Sequence, residues 1–232
     1  MPESQSKRAR FALLISIIAT ASLYFIPYGR SIAYPLLLLS TLAHEMGHGI
    51  AAILTGGSFE KFQLFADASG VAHWSGKATP LQRALVSAGG LVGPAIVGAM
   101  LFIVGKNEKL NKIFLVFLGL FLFLAELLVV RNVFGFVFIG MVAVICTAIG
   151  LKGSKAFCQW FSYFIGVQLG LSVFSRADYL FVEKAETSAG PMPSDVAQIA
   201  DALFMPYWFW GGVCGLLSVL SLLVGLVVVF RD

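Results

Sequence analysis

An apolar run of helix length carries three ionisable side chains near its centre. From Leu36 to Leu54 the chain has nineteen residues, about 28 Å of α-helix, close to the thickness of a bilayer's hydrocarbon core. The only ionisable residues in this run are His44, Glu45 and His48. Because ionisable groups are costly inside a membrane and usually mark function there, the run predicts a membrane helix with a functional centre.

The spacing of these three residues is that of a metal site. Two histidines four residues apart lie on one face of a helix, so one Zn²⁺ can accept a nitrogen from each. Glu45 lies next to the pair, where it can take a proton from water without displacing a ligand. We therefore predict that His44 and His48 bind one zinc ion per chain and that Glu45 is the general base.

The composition is that of an integral membrane protein. Hydrophobic residues make up 59% of the 232 residues and charged residues only 12%, about half the charged fraction of soluble domains. The candidate spans are 11–26, 31–54, 82–104, 113–130, 134–150, 157–174 and 206–230. We expect an all-α polytopic membrane protein of about six to seven transmembrane helices, with a basic tail at 1–10 and one membrane-embedded domain at 11–232.

Two polar segments interrupt the spans. In residues 58–76 apolar and polar residues alternate on both sides of a turn, which predicts a short β-hairpin directly after the helix with the histidines. The second segment, 176–206, is a polar loop in which Ser194 and Asp195 begin a short capped surface helix.

A catalytic zinc site requires a third protein ligand. Asp178 is the first choice, because it follows the sixth apolar run at the depth expected for the metal. His73 in the hairpin is an alternative, although a histidine beside Trp74 is also typical of a membrane interface. Asp195 and Asp201 rank lower because they belong to the polar loop.

The residues around the motif resemble those of the site-2 proteases, which are intramembrane zinc metallopeptidases. The resemblance is carried by residues 41–49, by the Gly56-Gly57 stop, and by glycines at 89, 90 and 93 in the following span. It is closest to the compact branch without PDZ or CBS domains, whose marks here include Ser69-Gly70 and Ser194-Asp195.

By this resemblance His44 and His48 bind zinc, Glu45 is the general base, and an aspartate nearer the C-terminus is the third ligand. The sequence departs from the family at that aspartate. The usual motif is Leu-Asp-Gly in a helix with Asn and Pro, whereas this chain has Ala177-Asp178-Tyr179.

The predicted function is hydrolysis of a peptide bond in or near a membrane-spanning segment, with a membrane protein or membrane-associated peptide as substrate. One alternative is a binding or chaperone-type membrane protein that keeps the zinc site. A zinc transporter is disfavoured, because such a protein needs metal-binding residues spread through the depth of the membrane. The sequence has no basic patch with interleaved aromatic residues, so we expect no nucleic-acid partner.

The distribution of lysine and arginine gives an expected orientation. With the N-terminal tail and the predicted hairpin on one side, that side holds nine of the 16 cations and the other holds seven. The excess favours a cytoplasmic N-terminus, and we expect the bacterial inner membrane as the location.

Overall fold

The structure, a computed structural model, describes residues 3–175, 177–188 and 190–231, without the side chains of 3–6, 24, 30, 174, 175, 177, 178, 186 and 187. Helices make up most of this part of the chain. They are α1 Glu3–Phe25, α2 Gly29–Leu54, α3 Pro80–Gly105, α4 Glu108–Val129, α5 Val133–Lys152, α6 Lys155–Ser175, α7 Asp195–Leu203 and α8 Tyr207–Phe230. A 3-10 helix covers Ala177–Phe181.

The strands form two antiparallel hairpins. The first pairs β1 Ser58–Leu64 with β2 Gly70–Ser75, and the second pairs β3 Lys184–Thr187 with β4 Gly190–Pro193. Six helices, α2 to α6 and α8, are long and apolar enough to cross a membrane. The predicted all-α membrane fold with a hairpin after the histidine helix is confirmed.

The N-terminal tail differs from its prediction in structure and in position. Helix α1 begins at Glu3 instead of at residue 11. Arg8 lies 3.6 Å from Glu108 at the start of α4, and Arg10 donates to the carbonyl of Phe230 at the end of α8. The first hairpin instead contacts residues 130–132, just after the end of α4, so the tail and the hairpin lie at opposite ends of α4.

The first hairpin packs along helix α2. Phe62 and Leu64 are fully buried in a cluster with Leu38 and Leu42 of α2. The hydroxyl of Thr41 donates to the carbonyl of Ala68 in the hairpin turn, at 2.8 Å. These contacts hold the hairpin against the helix over the length of its strands.

Strand β1 has its outer edge covered by the connection between α4 and α5. Phe62 forms a parallel bridge with Val130, and the N–H of Arg131 donates to the carbonyl of Phe62 at 2.9 Å. The side chain of Asn132 donates to the carbonyl of Leu64 and accepts from its N–H, in place of a neighbouring strand. Among the described strands, β2 pairs only with β1, so its outer edge is the open edge of this sheet.

Helix α7 begins where the sequence predicted a cap. The hydroxyl of Ser194 accepts a hydrogen bond from the N–H of Ala197, which satisfies one of the free donors at the start of a helix. Val196 and Ile199 of α7 are buried against α3 and α8. The second hairpin immediately before α7 was not predicted, because prolines in β4 remove backbone donors and disfavour a strand.

Candidate metal and active site

The two histidines of α2 point their rings at each other. Their Nε2 atoms are 3.1 Å apart, as expected for side chains one helical turn apart. Two imidazole nitrogens at this distance need a proton or a metal cation between them. Both rings lie in the interior, and His48 is 9% exposed.

The ring of His48 is fixed by helix α3. Its Nδ1 is 2.8 Å from the carbonyl oxygen of Val86. Because a carbonyl can only accept, Nδ1 carries a proton, and Nε2 is the nitrogen that faces the centre of the site. The same helix leaves room for the ring, since a Cβ at Gly90 would collide with it.

Helices α2 and α3 approach each other through glycines. A Cβ at Gly47 would collide with the carbonyl of Gly89, and one at Gly93 would lie 2.9 Å from the carbonyl oxygen of Ala43. Small residues of this kind allow two membrane helices to pack closely. The close approach is what brings Val86 within reach of His48.

Glu45 is buried next to the open edge of β2. Its side chain is 6% exposed, and a Cβ at Gly70 would lie 2.8 Å from its Cγ. The backbone N–H of Ala72 faces its carboxylate. The acid therefore lies between the two histidines and the edge of a strand.

Asp195, the first residue of α7, closes the site from the other side. Its Oδ2 is 3.0 Å from Nε2 of His44, and its Oδ1 is 3.4 Å from Nε2 of His48. Burial by itself raises the pKa of a carboxyl group, but His48 and His44 outweigh it and hold the pKa of Asp195 well below its usual range. The carboxylate is therefore ionised, as a metal ligand must be.

Tyr179 of the 3-10 helix contacts both Asp195 and His44. Its hydroxyl is 3.2 Å from Oδ2 of Asp195, and its ring meets the His44 ring edge-on, with centroids 5.9 Å apart. Burial, together with the charges of Asp195 and Glu45, raises the pKa of the Tyr179 hydroxyl. The phenol keeps its proton and donates it to the carboxylate.

The donor atoms of His44, His48 and Asp195 fit a tetrahedral zinc ion. With zinc–ligand bonds of about 2.0–2.1 Å, the donor atoms of such a site lie about 3.3 Å apart. The three distances here are 3.1, 3.0 and 3.4 Å. Two imidazoles and one carboxylate are also a donor set that catalytic zinc sites use.

A comparison with protein families agrees with this geometry. The sequence model of the family described as Peptidase M50B-like matches residues 14–225. The chain belongs to this family. It is a family of site-2 proteases, so the resemblance found in the sequence is confirmed, and site-2 proteases are in general zinc-dependent. No curated protein and no solved structure matches the chain.

The residues predicted from the sequence for this Peptidase M50B-like site do not all have the same outcome. It brings His44, Glu45 and His48 together and adds Asp195, which ranked low in the sequence. The sequence contained one sign that Asp195 faces the interior: it shares a helix face with Ile199 and Ala202, and both of these residues are buried. The side chain of Asp178 lies outside the described residues, so its ligand role stays a prediction.

Neither of the remaining sequence candidates contacts the two histidines among the described contacts. His73 is exposed and lies opposite Lys61 in the hairpin. Burial, followed by the charge of Lys61, lowers the pKa of His73. Asp201 is exposed near the end of α7.

Two cavities lie on the α1–α6 side of the Peptidase M50B-like site. The inner cavity, of about 280 Å³, is lined by His44, Glu45 and Tyr179. The outer cavity, of about 630 Å³, lies between the end of α1, the first half of α2, and α6. Ser40 and Ser172 line both cavities, so the two lie next to each other.

The two hairpin turns meet beside the inner cavity. The hydroxyl of Ser188, after β3, donates to Oδ2 of Asp67 at 2.6 Å, and its N–H donates to the hydroxyl of Ser69 at 3.2 Å. The hydroxyls of Ser188 and Ser69 lower the pKa of Asp67. Because Ser69 and Ala185 line the cavity, these contacts connect two of its walls.

Proposed function

We propose that this chain is an intramembrane zinc metalloprotease in which His44, His48 and Asp195 hold the ion and Glu45 is the general base. The observation that carries the proposal is the approach of the Asp195 carboxylate to both histidines, next to Glu45. Asp195 is preferred to Asp178 as third ligand because its oxygens lie 3.0 and 3.4 Å from the two Nε2 atoms. Membership of a site-2 protease family supports the reaction class.

The chemistry divides between the ion and Glu45. When bound, zinc supplies Lewis acidity, which makes water a nucleophile near neutral pH. Glu45 takes a proton from the attacking water as the water oxygen bonds to the carbonyl carbon of the peptide. When the C–N bond breaks, Glu45 passes that proton to the leaving amine nitrogen.

The open edge of β2 supports an extended conformation for the substrate. A helical segment hides its carbonyl groups in hydrogen bonds, so it has to unwind before attack. An unwound segment can pair with β2 as an added strand. Residues 130–132 already cover the outer edge of β1, so the added strand pairs with β2. Because the N–H of Ala72 on β2 faces Glu45, the added strand passes next to the general base.

The two neighbouring cavities support entry from the side of the helix bundle. The outer cavity opens between α1, α2 and α6, and the inner one reaches His44 and Glu45. A segment that enters from the lipid therefore reaches the metal site without crossing the helix core. The substrate class that fits this route is a membrane-spanning or membrane-associated peptide.

The test compares wild-type protein with Glu45→Gln in liposomes that contain a library of single-span reporter peptides. We expect cleavage of at least one reporter by the wild type and a loss of about 10²–10⁴-fold in Glu45→Gln. Zinc content is expected to stay the same, because Glu45 is not a ligand. Glu60→Gln, which changes an exposed acid of β1, is the matched control and should cleave like the wild type.

The alternative function gives a different result. A binding or chaperone-type protein with a structural zinc needs no general base, so Glu45→Gln would keep its activity in cells. Zinc-loaded wild type that cleaves no reporter, together with an unchanged cellular phenotype of Glu45→Gln, would overturn the protease proposal.

A further inference from the structure

A third cavity, of about 90 Å³, lies beside the metal site, and we call it the narrow cavity. It shares His44, Glu45 and Tyr179 with the inner cavity. The inner and narrow cavities therefore meet at the general base and one of the two histidines.

Helix α2 and the first hairpin line the two cavities in the same order. On α2 the inner cavity is lined by residues within 40–45, and the narrow cavity by residues within 44–48. In the hairpin the inner cavity is lined by 68–70, and the narrow cavity by residues within 70–74. Both elements thus pass from the inner to the narrow cavity at the metal site.

Helix α3 shows the same order in reverse, because it packs antiparallel to α2. Leu91 and Pro94 line the inner cavity, whereas Val86 and Ser87 line the narrow one. The two cavities therefore lie end to end along β2, one on each side of the metal site. A substrate strand on the open edge of β2 occupies both, with its scissile bond at the junction.

One large side chain from each hairpin limits the narrow cavity. Trp74 pairs across the first hairpin with Phe59, whose ring a Cβ at Gly49 of α2 would meet. Because cross-strand partners point to the same face of a sheet, Trp74 also faces α2. In the second hairpin Met192 pairs with Ala185, which lines both cavities, so Met192 faces the site as well.

The volumes of the two cavities set different limits on substrate side chains. A cavity of about 150 Å³ holds a benzene ring. The inner cavity, at about 280 Å³, is larger than this, and Leu91, Val173 and Leu180 give it apolar walls. The narrow cavity, at about 90 Å³, is smaller, and it must also hold the backbone of the strand. It therefore accepts small side chains only.

We propose that the site selects the bond it cuts by the size of the two flanking residues. On the narrow side the residue is glycine, alanine or serine, and on the inner side it is large and apolar. Trp74 and Met192 set the limit on the narrow side. If the proposed protease function holds, on which this proposal rests, the substrates are membrane segments in which a small residue adjoins a large apolar one.

The test locates every cut bond in the single-span reporter library by mass spectrometry of the products. For the wild type we expect a small residue on one and the same side of every cut. A reporter with phenylalanine at that position should be cut on the order of a hundredfold more slowly than one with alanine. Trp74→Ala should bring the two rates to within about tenfold of each other. His73→Ala, which changes an exposed neighbour on β2, should keep the wild-type ratio.

Met192→Ala provides a second variant, from the other hairpin, and should relax the same position. Retained cleavage of the alanine reporter shows that a variant is folded. Binding is a further readout, because Glu45→Gln should hold a reporter without cutting it, and phenylalanine at the small position should weaken that binding.

The possible failures are distinguishable. Cuts with large residues on both sides, or an unchanged rate ratio in the folded variants, would overturn the size selection and leave the protease function in place. A wild type that cuts no reporter would overturn the protease function, and the size selection with it.

Discussion

The two halves of the metal site are built in different ways. The histidine half lies on two long helices, α2 and α3, whose glycines bring their backbones into contact. The aspartate half lies on the nine-residue helix α7, which follows a 3-10 helix and a short hairpin. The comparison suggests that close helix packing fixes the histidines, whereas capping and hydrogen bonds fix the aspartate.

Among the residues that are not ligands, the largest expected effect comes from Gly90→Ala in the histidine half. The added methyl group would collide with the ring of His48, and such overpacking typically costs about 1–3 kcal/mol. We expect zinc affinity to fall by about a hundredfold at the upper end of that cost. Competition with a chromophoric chelator measures the affinity.

Gly212→Ala is the matched control for this change. A Cβ at Gly212 meets nothing within 4 Å, so zinc affinity should equal that of the wild type. Wild-type affinity in Gly90→Ala would contradict the claim that α3 fixes the His48 ring.

A smaller effect is expected for Tyr179→Phe in the aspartate half. The change removes the hydroxyl that donates to Asp195 while the ring next to His44 remains. Loss of such a partner typically weakens metal binding by about 10–100-fold, and we expect the lower figure. The absorption spectrum of the Co²⁺-substituted protein should shift as well.

Tyr207→Phe provides the comparison for Tyr179→Phe. Tyr207 packs at the start of α8 in the cluster that holds α7. Equal zinc affinity in the two variants would mean that the Tyr179 hydroxyl does not position Asp195.

Ser194→Ala should have a modest effect on both stability and metal binding. It removes the N-cap of α7, a loss of about 1 kcal/mol, directly before Asp195. We expect a lower unfolding temperature and a zinc affinity reduced by about fivefold.

Thr79→Ala removes a comparable cap from α3, where Thr79 accepts from the N–H of Gln82. It should lower the unfolding temperature by a similar amount and leave zinc affinity unchanged. A similar loss of zinc affinity in both variants would show that the Ser194 effect is general instability.

The smallest effect is expected for His73→Ala. His73 is exposed on β2 and pairs in register with Lys61, so zinc affinity should match that of the wild type. A loss of zinc binding would mean that the hairpin supplies a ligand.

The sequence predicted the histidine half because that half depends on local geometry. Residues four apart on one helix meet without help from the rest of the fold, and the hairpin at 58–76 follows from local alternation. The start of α7 at Ser194 was predicted for the same reason, because a cap involves only neighbouring residues.

The aspartate half depends on tertiary packing, and its position could not be predicted in the same way. Asp195 reaches His44 only because Val196 and Ile199 dock α7 against α3 and α8. The end at which the tail lies depends likewise on the long-range contacts of Arg8 and Arg10. The one local sign that Asp195 reaches His44 was the position of its carboxylate on the buried face of α7.

The most direct test of the account is the zinc content of detergent-purified wild type, Asp195→Ala and Asp178→Ala. We predict one zinc per chain in the wild type and in Asp178→Ala, and none in Asp195→Ala. Zinc retained in Asp195→Ala and lost in Asp178→Ala would contradict the account and return the third ligand to the 3-10 helix.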